Sequence, residues 1–157
     1  MRASTMVNDI TFITVFLGIL MLCSFVEIGR KGIKTILVPT DFSEPSDVAL
    51  HIAIDLAKQQ NAGIHLLHVL PFRQAANEME MMQRQIAKFP EGKSVEIVPE
   101  IRKGRIHEEI LKMQTEKNVD LIVIARRRKT ESLFTVFRSV TEKVKKRAQC
   151  SVLVIGA

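Results

Sequence analysis

Two groups of residues in this chain have the chemistry to hold a small ligand. The first is Pro39, Thr40 and Asp41, which directly follow the apolar run at residues 36–38. If that run is a strand, these residues stand at its carboxyl end, where open α/β sheets bind their ligands. The carboxylate of Asp41 could accept hydrogen bonds from sugar hydroxyls or, equally, cap the helix that follows. Both interpretations of Asp41 stay open.

The second group is cationic. Residues 126–147 contain nine lysines and arginines against two glutamates, a local charge of +7. Arginine side chains hold phosphate through paired hydrogen bonds, and the start of a helix offers free N–H groups to an anion. A solvated helix face explains the same charges without a ligand, and Ser139 followed by Glu142 also fits a simple capping box. The candidate anion contacts are Arg126, Arg127, Arg128, Lys129, Arg138 and Ser139.

The residue types that build most catalytic and metal sites are scattered along the chain. His65 and His68 are three residues apart in a predicted strand, so they point to opposite faces and cannot share a metal. The two cysteines, Cys23 and Cys150, lack the spacing of a metal site. The sequence contains no Ser/His/Asp order and no paired carboxylates at catalytic spacing. It therefore predicts a protein that is not an enzyme and holds no metal.

Strands and helices must position these residues, and the sequence alternates between the two. Runs such as residues 121–124 are apolar throughout, which is typical of strands buried on both faces of a parallel sheet. The alternation predicts an α/β fold, a doubly wound parallel sheet with helices on both faces, in which the first and fourth strands are neighbours. The predicted strands cover residues 35–38, 64–70, 95–101, 121–125 and 152–155, and the predicted helices cover residues 46–60, 74–88, 105–117 and 139–148.

Residues 1–32 form a separate apolar segment, and the folded domain is predicted to cover residues 33–157. Residues 10–26 are 17 positions without a charge, at the short limit of a membrane span. The segment is either a membrane anchor or the product of a gene start placed too far upstream. If residues 10–26 insert, Arg30, Lys31 and Lys34 place the domain on the inner, cytoplasmic side of the membrane.

With these elements in order, the chain resembles the universal stress protein family over residues 33–157. The two isolated cysteines are typical of a reducing compartment, so a cytoplasmic protein is expected. The resemblance implies a five-stranded parallel sheet of order 3-2-1-4-5. It also implies a homodimer that pairs through the last strand, at Val152, Leu153, Val154 and Ile155. The segments that carry the resemblance are KTILVPTDFSE at 34–44, LLHV at 66–69, DLIVI at 120–124, SVTEKV at 139–144 and CSVLVI at 150–155.

Many members of this family bind ATP, so the resemblance also implies nucleotide contacts. Pro39, Thr40 and Asp41 would lie near adenine and ribose. Val69 would lie beside the base, and Ser139 and Val140 would lie at the phosphates.

This chain departs from the family in its glycines. ATP-binding members carry the motif G-x2-G-x9-G-[S/T], whose three glycines fall here on Ala125, Arg128 and Arg138. Glycine lets the backbone approach the phosphates closely, and a large side chain fills that space. The usual backbone cradle for ATP is therefore not expected.

The sequence thus predicts a stress-response domain that acts by binding, with a degenerate nucleotide site and an unidentified protein partner but no nucleic acid. No cofactor is expected, with ATP or another nucleotide as the alternative. A second hypothesis is a nucleotide or anion sensor that uses Asp41 and the cluster from Arg126 to Lys129, with Arg138. A third is a membrane-tethered regulator whose basic face lies against anionic lipid.

Overall fold

Apolar runs and amphipathic stretches alternate in the fold as they do in the sequence. The computed structural model describes residues 32–70, 77–126 and 134–156, and within these ranges it leaves out the side chains of residues 134–139. In chain order the elements are β1 (Thr35–Thr40), α1 (Glu44–Gln60), β2 (Gly63–Leu70), α2 (Glu78–Ala87), a 3-10 segment (Pro90–Ser94), β3 (Ile97–Lys103), α3 (Ile106–Glu116), β4 (Leu121–Arg126), α4 (Phe134–Arg147) and β5 (Ser151–Gly156).

The five strands form one sheet of order β3-β2-β1-β4-β5, and every neighbouring pair is parallel. This confirms the predicted doubly wound α/β fold and its strand order. β3 lies at one edge, where the missing N–H of Pro99 is tolerated. At the centre, β1 pairs with β2 on one side and β4 on the other, so a crevice opens where these strands end.

Helices cover both faces of the sheet. Ile36 and Val38 pack on one face with α1 and α2, through residues such as Leu50 and Met82. Leu37 packs on the opposite face with α3 and α4, through Ile110 and other buried residues. Because both faces are buried, the central strands need apolar residues at consecutive positions, which explains the continuous runs in the sequence.

Several predicted boundaries differ from the structure by a few residues, and two of these differences have an identifiable cause. Helix α4 begins at Phe134, so Ser139 lies inside it, and the predicted helix start at Ser139 is wrong. The Ser139/Glu142 spacing is a local signal, and a helix continues through such a pair when its upstream residues also suit a helix. Strand β3 covers Ile97–Lys103 rather than residues 95–101, because residues 90–94 form the 3-10 segment that delays it.

The structure does not test the expectations for residues 1–32. The predicted anchor at residues 10–26 lies outside the described residues, and both interpretations of it stay predictions. Among the residues that are described, no helix has the length and apolar character needed to cross a membrane.

A glycine turn places α3 beside the crevice. Gly104 adopts a φ of +149°, and its N–H donates to the carbonyl of Leu70 at 3.0 Å. A Cβ added there would lie 2.9 Å from Oε1 of Glu109. Few residues other than glycine adopt this backbone conformation, so the turn between β3 and α3 depends on Gly104.

We expect Gly104→Ala to lower the free energy of unfolding by about 1–3 kcal/mol, because alanine is strained at this φ. Gly63→Ala is the matched control, since a Cβ there meets its nearest atoms at an ordinary 3.9 Å. Urea denaturation of the full chain measures both. Equal stabilities of the two variants would contradict the role given to Gly104.

Candidate functional site

A cavity of about 240 Å³ lies at the carboxyl ends of β1, β2 and β4, closed on one side by α3 and α4. Most of its wall is aliphatic, and its polar groups are concentrated in the turn after β1. The lining residues that carry the argument are Pro39, Thr40, Asp41, His68, Val69, Ile110, Ile124 and Val140. The fold therefore places a pocket at the switch point of the sheet, where ligands bind in this class of fold.

Thr40 ends β1 and is only 7% exposed. Its hydroxyl donates to Oε1 of Gln85 on α2 at 2.8 Å, and its Oγ1 accepts the N–H of Phe42 at 3.0 Å. A buried hydroxyl is costly unless it is paired, so both bonds stabilise this turn. The side chain thereby joins the wall of the cavity to α2.

His68 supports the same turn from β2. Its Nδ1 lies 2.9 Å from the carbonyl oxygen of Thr40, and its ring centroid lies 4.4 Å from that of Phe42. A carbonyl oxygen only accepts, so this bond puts a hydrogen on Nδ1 and leaves Nε2 with a lone pair when the ring is neutral. Phe42 has a φ of +62°, uncommon for a residue other than glycine, and the two rings pack against each other.

Asp41 has two roles open to it in this geometry. Its Oδ1 accepts the N–H of Ser43 at 3.1 Å and also the hydroxyl of Ser43. Ser43 is the N-cap of α1, so Asp41 orders the entry to that helix. Asp41 also lines the cavity. One carboxylate can accept hydrogen bonds from Ser43 and also line the cavity, so the two interpretations of Asp41 from the sequence are compatible.

The structure brings part of the predicted site together. Pro39, Thr40, Asp41, Val69 and Val140 line one cavity. Ala125, which occupies the first glycine position of the family motif, also lines it and adds a methyl group to the wall.

Of the predicted cationic contacts, Arg126 has a described side chain, and it is not among the lining residues. Arg126 is exposed, and a Cβ at Gly156 would lie 3.5 Å from its Nη2, so its guanidinium lies over the end of β5. Arg128 and the side chains of Arg138 and Ser139 lie outside the described residues, so their predicted roles stay predictions. Because α4 begins at Phe134, Ser139 does not offer the free N–H groups of a helix start.

Some lining residues were missed by reasoning from the sequence. The sequence showed only that His68 cannot share a metal with His65. Its contact to Thr40 was not predicted, because that contact depends on the pairing of β1 with β2. Ile106 and Ile110 form part of an apolar helical stripe, which indicates burial but not which cavity the helix closes. Ser43, Ser46 and Thr141 complete the polar part of the wall. Ser43 and Thr141 lie in segments that carry the family resemblance, but no ligand contact was predicted for any of the three.

A basic surface does exist at the end of α4, away from the residues that line the cavity. Lys143, Lys146 and Arg147 are exposed there. Burial, and then the positive charge of Lys143, lowers the pKa of the nearby His107. In the described ranges, no group of three or more His, Cys, Asp and Glu residues is arranged to hold a metal ion.

Comparisons with known proteins identify the family. A family model described as the universal stress protein family matches residues 32–156. Universal stress protein MJ0531 of Methanocaldococcus jannaschii is 31% identical over 160 residues, covering 92% of this chain and 94% of that protein.

Two solved structures share the fold. A universal stress protein in complex with cAMP superimposes with a TM-score of 0.68 at 19% identity, over 80% of this chain and 98% of the other. The universal stress protein of Archaeoglobus fulgidus in complex with dAMP gives a TM-score of 0.60 at 18% identity, over 78% and 97%. The family match, the relative and the shared fold agree, and the chain belongs to the universal stress protein family.

Proposed function

We propose that this universal stress protein domain acts by reversible binding of a nucleoside-sized ligand and not by catalysis. The observation that carries the proposal is the cavity of about 240 Å³ at the ends of β1, β2 and β4. Ligand pockets commonly measure about 300–1,000 Å³, so this one lies just below that range. It suits a base and a sugar better than a whole nucleoside triphosphate.

The lining supports this ligand class. Val69, Ile110 and Ile124 offer apolar surface to a flat base, and the carboxylate of Asp41 offers acceptors to sugar hydroxyls. Two proteins of this fold are described with cAMP and dAMP, each a single-phosphate adenine nucleotide. Their likeness to this chain is one of fold, so the proposal rests on the cavity and not on those ligands.

The phosphates of a bound nucleotide would receive few hydrogen bonds from the backbone of this domain. Ala125 adds a methyl group where the motif has its first glycine, and arginines occupy the other two glycine positions. Since close approach of the backbone to phosphate depends on glycine, the second and third phosphates of ATP lose their usual partners. We therefore propose that AMP and ATP bind with similar affinity.

Binding is favoured over catalysis because the polar groups around the cavity have structural partners. The hydroxyl of Thr40 donates to Gln85, that of Ser46 donates to the carbonyl of Ser43, and Nδ1 of His68 faces the carbonyl of Thr40. A general base or nucleophile must be able to exchange its proton with the substrate. Groups committed to the fold suit recognition better than proton transfer.

Titration of the full chain with adenosine, AMP and ATP tests the ligand. We expect AMP to bind within about threefold of ATP, and Asp41→Asn to weaken AMP binding about tenfold, because it removes the charge that attracts the sugar hydroxyls. Asparagine keeps an oxygen that can accept the N–H of Ser43. Asp55→Asn is the control, since Asp55 is exposed on α1 and is expected to leave the affinity unchanged.

Two results would change the proposal. No saturable binding of any of the three ligands by the folded chain at low salt would end it, and would favour a degenerate site in a domain that works through a protein partner. ATP binding more than about tenfold tighter than AMP, with a gain that falls as salt rises, would instead favour the cationic cluster from Arg126 to Lys129 as a phosphate clamp.

A second proposal concerns assembly. β5 lies at the edge of the sheet, and among the described residues its outer side has no strand partner. Leu153 is 37% exposed on this strand. An exposed edge strand readily pairs with another chain. We propose that a second copy of the domain covers it, with two β5 strands pairing around a two-fold axis through residues Val152 to Ile155.

We expect Leu153→Lys to raise the dissociation constant of the homodimer by at least about tenfold, because it places a charge in an apolar contact at the axis. Met81→Lys is the matched control, since Met81 is 42% exposed on α2. This helix contacts β3, which lies at the edge of the sheet opposite β5. Sedimentation of the full chain over a concentration series measures both. A dimer unaffected by Leu153→Lys, or weakened equally by both variants, would contradict pairing through β5.

A further inference from the structure

Gln85 is a buried polar residue that the proposed function leaves unexplained. It lies on α2, only 2% exposed, next to the apolar cluster that contains Met82. A buried amide is unfavourable unless both of its ends are paired, and a methionine of similar length would fill the space without that requirement. Both ends of Gln85 are in fact paired.

The partners fix the orientation of the amide. The carboxylate of Asp47 only accepts, so Nε2 of Gln85 must face it, at 2.7 Å from Oδ1. Oε1 of Gln85 is then left to accept the hydroxyl of Thr40, at 2.8 Å. Nζ of Lys88 lies 2.5 Å from the other oxygen of Asp47. Donation therefore runs in one direction from Thr40 through Gln85 to Asp47, and the carboxylate of Asp47 also accepts from Lys88 at the end of α2.

The hydroxyl of Thr40 has two acceptors within reach, Oε1 of Gln85 at 2.8 Å and Oγ of Ser46 at 3.3 Å, and the shorter contact is the one to Gln85. With its hydrogen given to Gln85, Oγ1 of Thr40 turns a lone pair to the N–H of Phe42, at 3.0 Å. That contact holds Phe42 in its left-handed conformation, which is unfavourable for a residue with a side chain. Asp41 lies between Thr40 and Phe42, so its position depends on both.

We propose that Gln85 is a positioning residue of the candidate site. By fixing the hydroxyl of Thr40, it holds the turn through Phe42 and thereby directs Asp41 to the cavity. The effect on a ligand rests on the proposed function, but the effect on the turn exists in the protein without ligand. A residue that only fills the core would stabilise the fold without acting on Phe42 in particular.

Amide hydrogen exchange, followed residue by residue by NMR on the ligand-free full chain, tests this inference. Gln85→Met keeps the length of the side chain and removes the acceptor, so we expect the Phe42 amide to exchange about tenfold faster relative to the rest of α1 and β1. Gln83→Met is the matched control, since Gln83 is exposed on the same helix and is expected to leave Phe42 unchanged. Equal exchange at Phe42 in the two variants would overturn the proposal.

Thr40→Val removes the hydrogen bond between Thr40 and Gln85 by deleting its donor. It tests whether Gln85 acts on Phe42 through Thr40 or independently of it. It is expected to expose the Phe42 amide at least as much as Gln85→Met does, and adding Gln85→Met to it is expected to change Phe42 no further. Additive effects would overturn the proposal, because Gln85 would then act on the turn without Thr40.

A conservative variant covers the case in which Gln85→Met does not fold. Gln85→Glu combined with Asp47→Asn exchanges the amide and the carboxylate, so an oxygen for the hydroxyl of Thr40 and a donor between residues 85 and 47 are both kept. This double variant is expected to hold the Phe42 amide within about threefold of its original exchange rate. Exchange as fast as in Thr40→Val would overturn the proposal.

The affinity for AMP is then compared between the unaltered chain, Gln85→Met and Gln83→Met. A loss of about tenfold in Gln85→Met alone is expected. If the unaltered chain binds no AMP, the proposed function fails, while Phe42 exchange still decides the role of Gln85.

Discussion

Burial of Thr40 at the end of the central strand is the constraint on which the site depends. A threonine in this position must find partners inside the protein for its hydroxyl and its carbonyl. Gln85 and the N–H of Phe42 satisfy the hydroxyl, and His68 lies within hydrogen-bond distance of the carbonyl. These contacts come from α2, from the turn and from β2, so one residue ties three parts of the fold to the edge of the cavity.

The fold could be predicted from local patterns because both faces of the sheet are buried. Continuous apolar runs such as residues 121–124 indicate strands of this type, and the resemblance to the family supplied the strand order. The start of α4 could not be predicted in the same way. Ser139 and Glu142 have the spacing of a helix start, yet the helix extends back to Phe134. A capping pattern indicates a position where a helix could begin, but the residues before that position decide whether the helix begins there or earlier.

The candidate site was predictable where a residue follows directly from its strand. Pro39, Thr40 and Asp41 end β1 or follow it, and the doubly wound fold brings them to the cavity. The contribution of α3 was not predictable, because Ile110 has the same apolar spacing whether it faces a cavity or a filled core. Arg126 shows the converse. Its charge suggested a phosphate contact, but its guanidinium lies over the end of β5, a direction that the sequence does not specify.

The tautomer of His68 and the hydroxyl bonds around it have a consequence for selectivity. Thr40, Ser43 and Ser46 each give their hydroxyl hydrogen to the protein, and the Nδ1 hydrogen of His68 faces the carbonyl of Thr40. While the ring of His68 is neutral, these side chains therefore have no hydrogen left to donate to an incoming molecule. A ligand with amino and hydroxyl groups brings its own hydrogens, whereas an analogue with oxo groups in their place finds no donor among these side chains. Discrimination between such close analogues would then arise from hydrogen positions, with no difference in the shape of the cavity.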